Sequence, residues 1–380
     1  MNILTDLVHA GHWDEDPTGT SSLPIFRGST FSQDNPLSNP RWDYGRSGNP
    51  TRAAVEEAIA KLEGGVAGFA FASGIAAVNS VLMMFQTGDH VVVGEDIYGG
   101  SFRALTTIFA RWGLGVTWVD ASDLGQVDKA VGPSTKAILV ETPSNPLLRV
   151  CDLRGIAAIA HKHGVLAMID NTFQTPLLQR PLDLGFHVSI HSATKFLGGH
   201  SDVVAGLVAV SDAAVGKRLY AVQNGFGAIL GPDDSWMVLR GIRTLAPRLE
   251  TQQRSAVRLA SWLAARQEVS AVHYPGLKTH PAFALHASQT TGPGAVLSFD
   301  LGTEAAALSF LQAVKIPLTA VSLGGVETIL SWPCRMSHAS MPREERLKRG
   351  IGDGLVRLSA GLEAPEDLEA DFAQALSGGE

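Results

Sequence analysis

Cysteine is scarce in this sequence. Only Cys151 and Cys334 occur among 380 residues, and they are far apart along the chain. So sparse a supply is typical of reduced, intracellular thiols and argues against a disulfide framework. We expect Cys334 to fill a small apolar space and not to act as a nucleophile.

Clusters of positive charge are also missing. The chain has 30 Lys and Arg against 37 Asp and Glu, a net charge of −7, and no long basic run. Nucleic-acid binding depends on clustered Lys and Arg that contact phosphates. The sequence therefore predicts no nucleic-acid partner.

Long apolar runs and nucleotide-binding fingerprints are absent as well. No uncharged apolar stretch reaches the 18 or so residues that span a bilayer. The first residues lack a basic segment followed by an apolar core, so we expect no signal peptide, no membrane association and a cytoplasmic location. Neither G-x-G-x-x-G nor G-x-x-x-x-G-K-[ST] occurs, which disfavours a dehydrogenase or an NTPase.

What the chain does have is an ordinary globular composition, with 45% hydrophobic and 18% charged residues. Its length predicts one large and one smaller domain. Residues 1–48 are rich in Gly, Pro, Ser, Thr and Asp and predict an arm that packs on a neighbouring subunit. Residues 49–232 alternate strands with helices, and residues 233–380 predict a smaller α+β domain.

The predicted elements give an α/β fold with a large, mostly parallel sheet covered on both faces. The predicted strands are 68–72, 90–94, 116–119, 137–141, 165–169, 187–191 and 203–210, with 295–300 and 319–322 in the smaller domain. The predicted helices are 52–63, 74–85, 101–112, 153–163, a long stretch from 234 to about 267, and 366–375.

Three loops at predicted strand ends carry an unusual set of polar groups. Asp170 follows one strand, Lys195 follows the next, and a Ser-Gly-Ile step at Ser73, Gly74 and Ile75 opens a helix. Ligands of open parallel sheets bind at the carboxyl ends of the strands. An amine, a carboxylate and a phosphate cradle at a helix N-terminus are what pyridoxal phosphate (PLP) requires. These residues predict a PLP site, with hydroxyls of Ser192 and Thr194 assisting the cradle and Tyr98 stacking on the ring.

The chain contains eight motifs in a fixed order. They are Tyr44-Gly-Arg46-Ser-Gly-Asn49-Pro50-Thr51, Glu141-Thr-Pro-Ser-Asn145-Pro146, Asp170-Asn-Thr-Phe, Ser192-Ala-Thr-Lys195, Gly199-His-Ser-Asp202-Val, Ser322-Leu-Gly-Gly, Met336-Ser-His-Ala-Ser340 and Arg357-Leu-Ser-Ala-Gly361. With these motifs in this order, the chain resembles the Cys/Met-metabolism family of PLP-dependent enzymes nearly from end to end. Gly45 and Ile75 depart from the Ser and Met of many relatives, and we expect little consequence because both positions offer backbone contacts.

This resemblance implies the aspartate-aminotransferase-like fold (fold type I) and a role for each candidate residue. Lys195 would bind PLP as a Schiff base and shuttle protons, and Asp170 would pair with the pyridine nitrogen. Tyr98 would stack on the ring, and the phosphate would lie against Ser73, Gly74, Ile75, Ser192 and Thr194. Arg357 would bind the α-carboxylate of an amino-acid substrate, beside Asn145 and Ser322. Tyr44 and Arg46 would reach the phosphate of the neighbouring subunit, in a homotetramer built from two active dimers.

The resemblance leaves several reactions of sulfur amino-acid metabolism open. Gly100 stands where methionine γ-lyases typically carry Cys, and Val321 where γ-synthases and γ-lyases of cystathionine often carry Glu. Asp43 is compatible with recognition of a distal ammonium group. Together with the run 320–342 these residues favour a cystathionine β-lyase of bacterial type. The alternatives are a cystathionine γ-synthase or γ-lyase and, of another class, a PLP-fold binding protein without turnover.

Several histidines invite a metal interpretation that we disfavour. His161 and His163 lie near a predicted helix end without a third ligand, so a solvated surface is expected and no metal is predicted. His191 and His200 flank the lysine, and we expect them to pack. Trp332 is compatible either with shaping the pocket or with packing the core.

Overall fold

The computed structural model describes residues 2–12, 19–35, 37, 40–339 and 341–378. It contains two sheets. The strands of the first are β1 (Ala67–Phe71), β2 (His90–Gly94), β3 (Gly115–Val119), β4 (Thr135–Glu141), β5 (Leu166–Asp170), β6 (Val188–Ser192) and β7 (Gly206–Val210). The strands of the second are β8 (Ala271–His273), β9 (Val296–Asp300), β10 (Leu318–Thr319), β11 (Ile329–Ser331) and β12 (Leu355–Ser359).

The first sheet has the strand order β1-β7-β6-β5-β4-β2-β3. Strands β2 to β6 pair in parallel, whereas β7 is antiparallel to both β6 and β1. The prediction of a mostly parallel sheet is confirmed. Its inner strands are buried on both faces, as Val91, Val92 and Val93 of β2 show. The carboxyl ends of β4, β5 and β6 consequently lie side by side at one edge.

Helices cover both faces of this sheet and one face of the second. They are α1 (Ile3–Val8), α2 (Pro50–Glu63), α3 (Gly74–Leu82), α4 (Gly99–Arg103), α5 (Leu124–Ala130), α6 (Leu153–His163), α7 (Thr175–Leu178), α8 (Ala213–Phe226), α9 (Pro232–Arg243), α10 (Leu245–Ala264), α11 (Phe283–Gln289), α12 (Glu304–Ala313), α13 (Arg343–Lys348) and α14 (Pro365–Leu376).

Local capping explains why some predicted boundaries agree closely with the structure. Asp152 accepts a hydrogen bond from the Gly155 amide at the start of α6, and Gly164 ends the helix at a φ of 64°. The predicted helix 153–163 therefore matches α6. Asn49 caps α2 in the same way, with Pro50 in its first turn.

Two predicted helices are broken in the structure. The predicted helix 101–112 consists of α4, a π-helical turn (Ala104–Ile108) and a 3₁₀ turn (Phe109–Trp112). Hydroxyls of Thr106 and Thr107 donate back to carbonyls of the preceding turn, a pattern that bends helices. The long helix predicted from residue 234 is divided into α9 and α10 at Thr244.

The N-terminal arm is not wholly extended. Helix α1 packs against α2, with Leu7 buried and Asp6 paired to Lys61 at 2.9 Å. Residues 1, 13–18, 36, 38 and 39 of the predicted arm lie outside the described residues. The contact of this arm with a second subunit stays a prediction.

Two apolar cores sandwich the first sheet, and a third lies between the second sheet and helices α10, α12 and α14. Strands of the first sheet lie within residues 67–210 and those of the second within 271–359. The predicted boundary near residue 232 falls in the helical segment between them and stays a prediction. Among the described residues, no helix is long and apolar enough to cross a membrane.

Candidate active site

A cavity of about 460 Å³ opens where the carboxyl ends of β4, β5 and β6 meet the second sheet. Eleven of the thirteen residues predicted for the site line it: Ser73, Gly74, Ile75, Tyr98, Asn145, Asp170, Ser192, Thr194, Lys195, Ser322 and Arg357. They come from distant parts of the chain, so the fold and not local sequence brings them together.

Lys195 lies in the loop that follows β6, with its amine in the cavity. Its Nζ donates to Oγ of Ser322 at 2.7 Å. Burial and, to a lesser extent, the nearby positive charge of Arg357 together lower the pKa of Lys195 to about 8. A far larger fraction of this amine than of an ordinary lysine is therefore neutral near physiological pH, as a nucleophile or a proton acceptor must be.

Asp170 ends β5 and its carboxyl faces the same cavity. Its Oδ1 accepts hydrogen bonds from the amide of Thr172 at 3.1 Å and from its hydroxyl at 2.5 Å. Burial raises the pKa of Asp170, and the bonds from Thr172 oppose that rise. No described residue donates a hydrogen bond to Oδ2, so this oxygen suits a protonated ring nitrogen of a ligand.

The N-terminus of α3 forms a cradle next to Asp170. Ser73 caps the helix by accepting from the Ala76 amide, and Gly74 follows with its backbone close to β6. A Cβ atom at position 74 would lie 2.7 Å from Oγ of Ser192, so only glycine fits there. Free amides at a helix N-terminus next to hydroxyls are a suitable site for a phosphate.

Arg357 approaches the cavity from β12 in the second sheet. It is only 3% exposed, its Nη1 donates to Oδ1 of Asn145 at 3.0 Å, and its Nη2 donates to the carbonyl of Ser322. Burial lowers the pKa of Arg357 to about 10, against the attraction of Glu141. Its Nε is buried without a hydrogen-bond partner among the described residues, which leaves a donor for a ligand carboxylate.

Ser322 connects the two cationic groups. Its hydroxyl accepts from Lys195 and its carbonyl accepts from Arg357. Its φ of 89° lies in the left-handed region, which costs a non-glycine residue about 1–3 kcal/mol. Such strain is typical of positions that the surrounding site holds in place.

Glu141 was not assigned a role from sequence, although it lies in one of the motifs. It ends β4, in register with Asp170 on β5, and it lines the cavity. Its Oε2 accepts from the Tyr98 amide at 2.7 Å. Burial and then the neighbouring charge of Asp170 raise the pKa of Glu141 well above its usual value. Its place at a strand end was the signal that could have identified it. The other unassigned lining residues are Val78, Arg103, Thr172, Phe173, Val204, Val321, Leu323, Ser331, Met336 and Ser337.

Tyr98 depends on a glycine two residues later. A Cβ atom at position 100 would lie 2.4 Å from Cε1 of Tyr98, so a larger residue there would displace the ring. The Tyr98 side chain is 42% exposed and borders the cavity. An aromatic ring with one free face at this position suits stacking on a planar ligand.

Tyr44 and Arg46 do not line the cavity of their own chain. Arg46 is exposed, donates to the carbonyl of Asn224 at 2.6 Å and lies 5.7 Å from the centre of the Tyr44 ring. The buried guanidinium of Arg52 holds the backbone of this turn, with bonds to the carbonyls of Gly45 and Arg46 at 2.7 and 3.0 Å. The turn is thus rigidly fixed while its two side chains face outward.

The histidines, Cys151 and Trp332 that the sequence brought into consideration make surface or core contacts. His163 pairs with Asp128 on the surface, and the described residues contain no cluster of three His, Cys, Asp or Glu that could hold a metal. Burial raises the pKa of Cys151 to about 12, so this thiol is unreactive. Trp332 packs in the third core and donates to the carbonyl of Asp353 at 2.9 Å.

His200 and Ser340 belong to two of the motifs and were given no role in the site. Ring atom Nδ1 of His200 interacts with the Gly198 carbonyl at 2.8 Å. Ser340, the last residue of one motif, lies outside the described residues.

Comparison with known proteins gives the same picture over the whole chain. A family model described as "Cys/Met metabolism PLP-dependent enzyme" matches residues 4–377. A cystathionine beta-lyase of Bacillus subtilis is 52% identical over 372 residues, which are 98% of this chain and 95% of that protein. A cystathionine gamma-lyase of the same organism is 47% identical and covers 99% of both chains.

A solved structure agrees as closely. The cystathionine gamma-lyase of Lactobacillus plantarum, complexed with L-serine, superposes with a TM-score of 0.97 at 44% identity, covering 100% of this chain and 99% of that one. The chain belongs to the Cys/Met-metabolism family of PLP-dependent enzymes. The fold type and the cofactor predicted from sequence are thereby confirmed. The amine of Lys195, the carboxyl of Asp170 and the cradle at Gly74 fit that cofactor.

Proposed function

We propose that this enzyme is a carbon–sulfur lyase that cleaves L-cystathionine by β-elimination to homocysteine, pyruvate and ammonia. The observation that carries the proposal is the pairing of Lys195 and Arg357 across Ser322 in one cavity. It places a proton-transferring amine next to a carboxylate-binding guanidinium, as a reaction at the α-carbon of an amino acid requires. The similarity to a cystathionine beta-lyase supports the choice of substrate.

In this proposal each cofactor residue has one task. Asp170, held by Thr172, would accept a hydrogen bond from the pyridine nitrogen of bound PLP, and the amides of Gly74 and Ile75 would bind its phosphate with Ser73, Ser192 and Thr194. Tyr98 would cover one face of the ring. Bound PLP withdraws electrons from the substrate α-carbon and so makes its proton acidic.

The substrate is held and deprotonated by the other half of the cavity. Arg357 binds its α-carboxylate with Asn145 and the Ser322 backbone alongside. The neutral amine of Lys195 removes the proton from Cα. The Cβ–S bond then breaks, homocysteine leaves with the bonding electrons as a thiolate that takes up a proton, and water converts the remaining three-carbon fragment to pyruvate and ammonia.

We infer that a second subunit completes the site. Tyr44 and Arg46 are exposed and do not line the cavity of their own chain, which supports their reaching the cofactor phosphate of a partner. The proposed assembly is a homotetramer of two such dimers, in the cytoplasm. Residues 1–48 would be the arm, 49–232 the PLP-binding domain and 233–380 the substrate-side domain.

The second candidate is γ-chemistry on the same scaffold, either γ-elimination or synthesis of cystathionine from an activated homoserine. The 47% identity with a cystathionine gamma-lyase favours it. Against it, Val321 lines the cavity and is 64% exposed, so this position presents an apolar group where γ-enzymes often carry a carboxylate.

Product analysis of the PLP-loaded enzyme with L-cystathionine separates the candidates. Homocysteine with pyruvate supports the proposal, whereas cysteine with 2-oxobutyrate would assign γ-elimination. Without turnover of cystathionine, formation of that compound from O-acylhomoserine and cysteine would assign the synthase reaction. The Lys195→Ala variant is the control for background cleavage.

A further inference from the structure

A buried polar cluster lies behind the strands that carry Asp170 and Lys195, and the proposed chemistry does not use it. We call it the rear cluster. It consists of Glu63, Asn171, Gln179, Ser189 and His191, each at most 2% exposed. The rear cluster lies next to the apolar core that contains buried residues of α2 and β5.

One oxygen of Glu63 gathers the cluster. Its Oε1 accepts from Nδ2 of Asn171 at 3.0 Å and from Oγ of Ser189 at 2.8 Å, and it lies 2.6 Å from Nε2 of His191. Gln179 closes the group through two bonds of 2.9 Å with Asn171. Glu63 is the last residue of α2, so a helix end is joined to two neighbouring strands.

The cluster and the cavity lie on opposite faces of the sheet. Asn171 directly follows Asp170, and His191 directly precedes Ser192. Successive side chains of a strand point to opposite faces. Asn171 and His191 are therefore the backbone neighbours of Asp170 and Ser192, which line the cavity.

Burying a carboxyl group in this place is expensive for the fold. The second carboxyl oxygen of Glu63, Oε2, has no hydrogen-bond partner among the described residues, and neither has Nδ1 of His191. Apolar residues of similar size often stabilise a core as well as or better than a buried ionic group does. A group retained at such cost, with its bonds directed at two adjacent strands, points to a task other than packing.

We propose that Glu63 is a positioning residue that sets, from behind the sheet, the spacing between Asp170 and the Ser192–Lys195 segment. The two strands are in direct register, with Asp170 opposite Ile190. By binding Asn171 on one side and Ser189 and His191 on the other, Glu63 fixes both strand ends relative to each other. The inference rests on the proposed cofactor roles of Asp170 and Lys195 and is independent of which bond the enzyme cleaves.

The test compares PLP affinity with the stability of the fold. Glu63→Gln preserves size, but an amide oxygen is a weaker acceptor than a carboxylate oxygen. Asp371→Asn is the matched control, since Asp371 is a buried carboxyl in the third core whose oxygens accept from the amides of Lys315 and Ile316, remote from the cavity. Ser189→Ala is a milder second variant that deletes the bond to Glu63 and the 3.3 Å contact with Nε2 of His191, and it is expected to fold even if Glu63→Gln does not.

The measurements are the PLP dissociation constant, the absorbance band of the bound cofactor and the melting temperature with and without PLP. For Glu63→Gln we expect the dissociation constant to rise about fivefold to tenfold, with a smaller rise for Ser189→Ala and a reduced PLP-induced gain in melting temperature for both. Asp371→Asn should lower both melting temperatures equally and leave the dissociation constant within about twofold.

Two results would overturn the inference in distinguishable ways. If Glu63→Gln and Ser189→Ala behave like Asp371→Asn, with lower stability but unchanged PLP affinity and absorbance, the rear cluster is only structural. If the unmodified protein gains no stability from PLP, the proposed function fails, and the inference fails with it.

Discussion

Two arginines of the site motifs show how differently the two regions of the molecule are built. Arg357 is buried in the cavity wall, where Asn145 and Ser322 hold its guanidinium before any ligand arrives. Arg46 is exposed on a fixed turn, where it donates to the backbone carbonyl of Asn224 outside the cavity. The cavity is thus preorganised within one chain, whereas the Tyr44–Arg46 turn lies outside it.

The largest effect is expected inside the cavity. Lys195→Ala removes the amine that is proposed to take the α-proton, and we expect kcat to fall by roughly 10²–10⁴-fold or more. Steady-state kinetics on PLP-loaded protein measures it, with melting temperature as a control for folding. Near-normal kcat in this variant would refute the role of Lys195.

The next effect concerns the carboxylate clamp. Arg357→Lys retains the charge but loses the planar fork, so kcat/KM should fall by about 10–100-fold, largely through KM. Affinity for PLP should change little, because Arg357 is proposed to bind the substrate and not the cofactor. A variant that loses PLP and keeps its KM would show that Arg357 binds the cofactor and not the substrate.

The turn region should show a smaller effect that depends on a partner subunit. Arg46→Ala should weaken PLP binding by about tenfold, since one charge-assisted bond to phosphate is lost. The decisive version mixes Arg46→Ala and Lys195→Ala subunits after dissociation and reassociation, and assays them at a PLP concentration too low to load the Arg46→Ala site. If Arg46 acts in trans, half of the random dimers are hybrids with one intact site each, and about a quarter of the activity returns. If Arg46 acts in its own chain, mixing restores nothing.

The smallest effect is on the stability of the PLP-free protein. Burial lowers the pKa of Lys195 to about 8, below the usual 10.4 of the unfolded chain. The folded state therefore binds this proton less tightly than the unfolded state does. The resulting loss in the free energy of unfolding is complete below pH 8 and disappears as the pH rises towards about 10.4. Lys195→Met should stabilise the PLP-free protein by about 1–3 kcal/mol at pH 7 and less at pH 10, in urea unfolding. An equal difference at both pH values would contradict the shifted pKa.

The comparison also explains what could be predicted from sequence. Helices with capping residues at both ends were predicted with accurate boundaries, such as α6 between Asp152 and Gly164. The antiparallel direction of β7 was not predicted, because strand direction follows from tertiary packing. Strands β11 and β12 were also missed, since short buried strands lack a distinctive period.

For the site, the polar residues at predicted strand ends and the motifs identified eleven residues that line the cavity. The contacts between residues distant in sequence could not be predicted. Nothing local shows that Ser322 adopts a positive φ between Lys195 and Arg357. Nor does the sequence show that Glu141 receives the Tyr98 amide or that Glu63 joins two strands from behind. These are consequences of packing distant segments together.

Mapping the cofactor attachment tests the central claim most directly. The PLP-loaded protein would be treated with borohydride, digested and analysed by mass spectrometry. We predict that the pyridoxyl group is found on the peptide containing Lys195 and that pretreatment which removes PLP abolishes the label. Attachment to another lysine, or a labelled Lys195→Ala variant, would contradict the account.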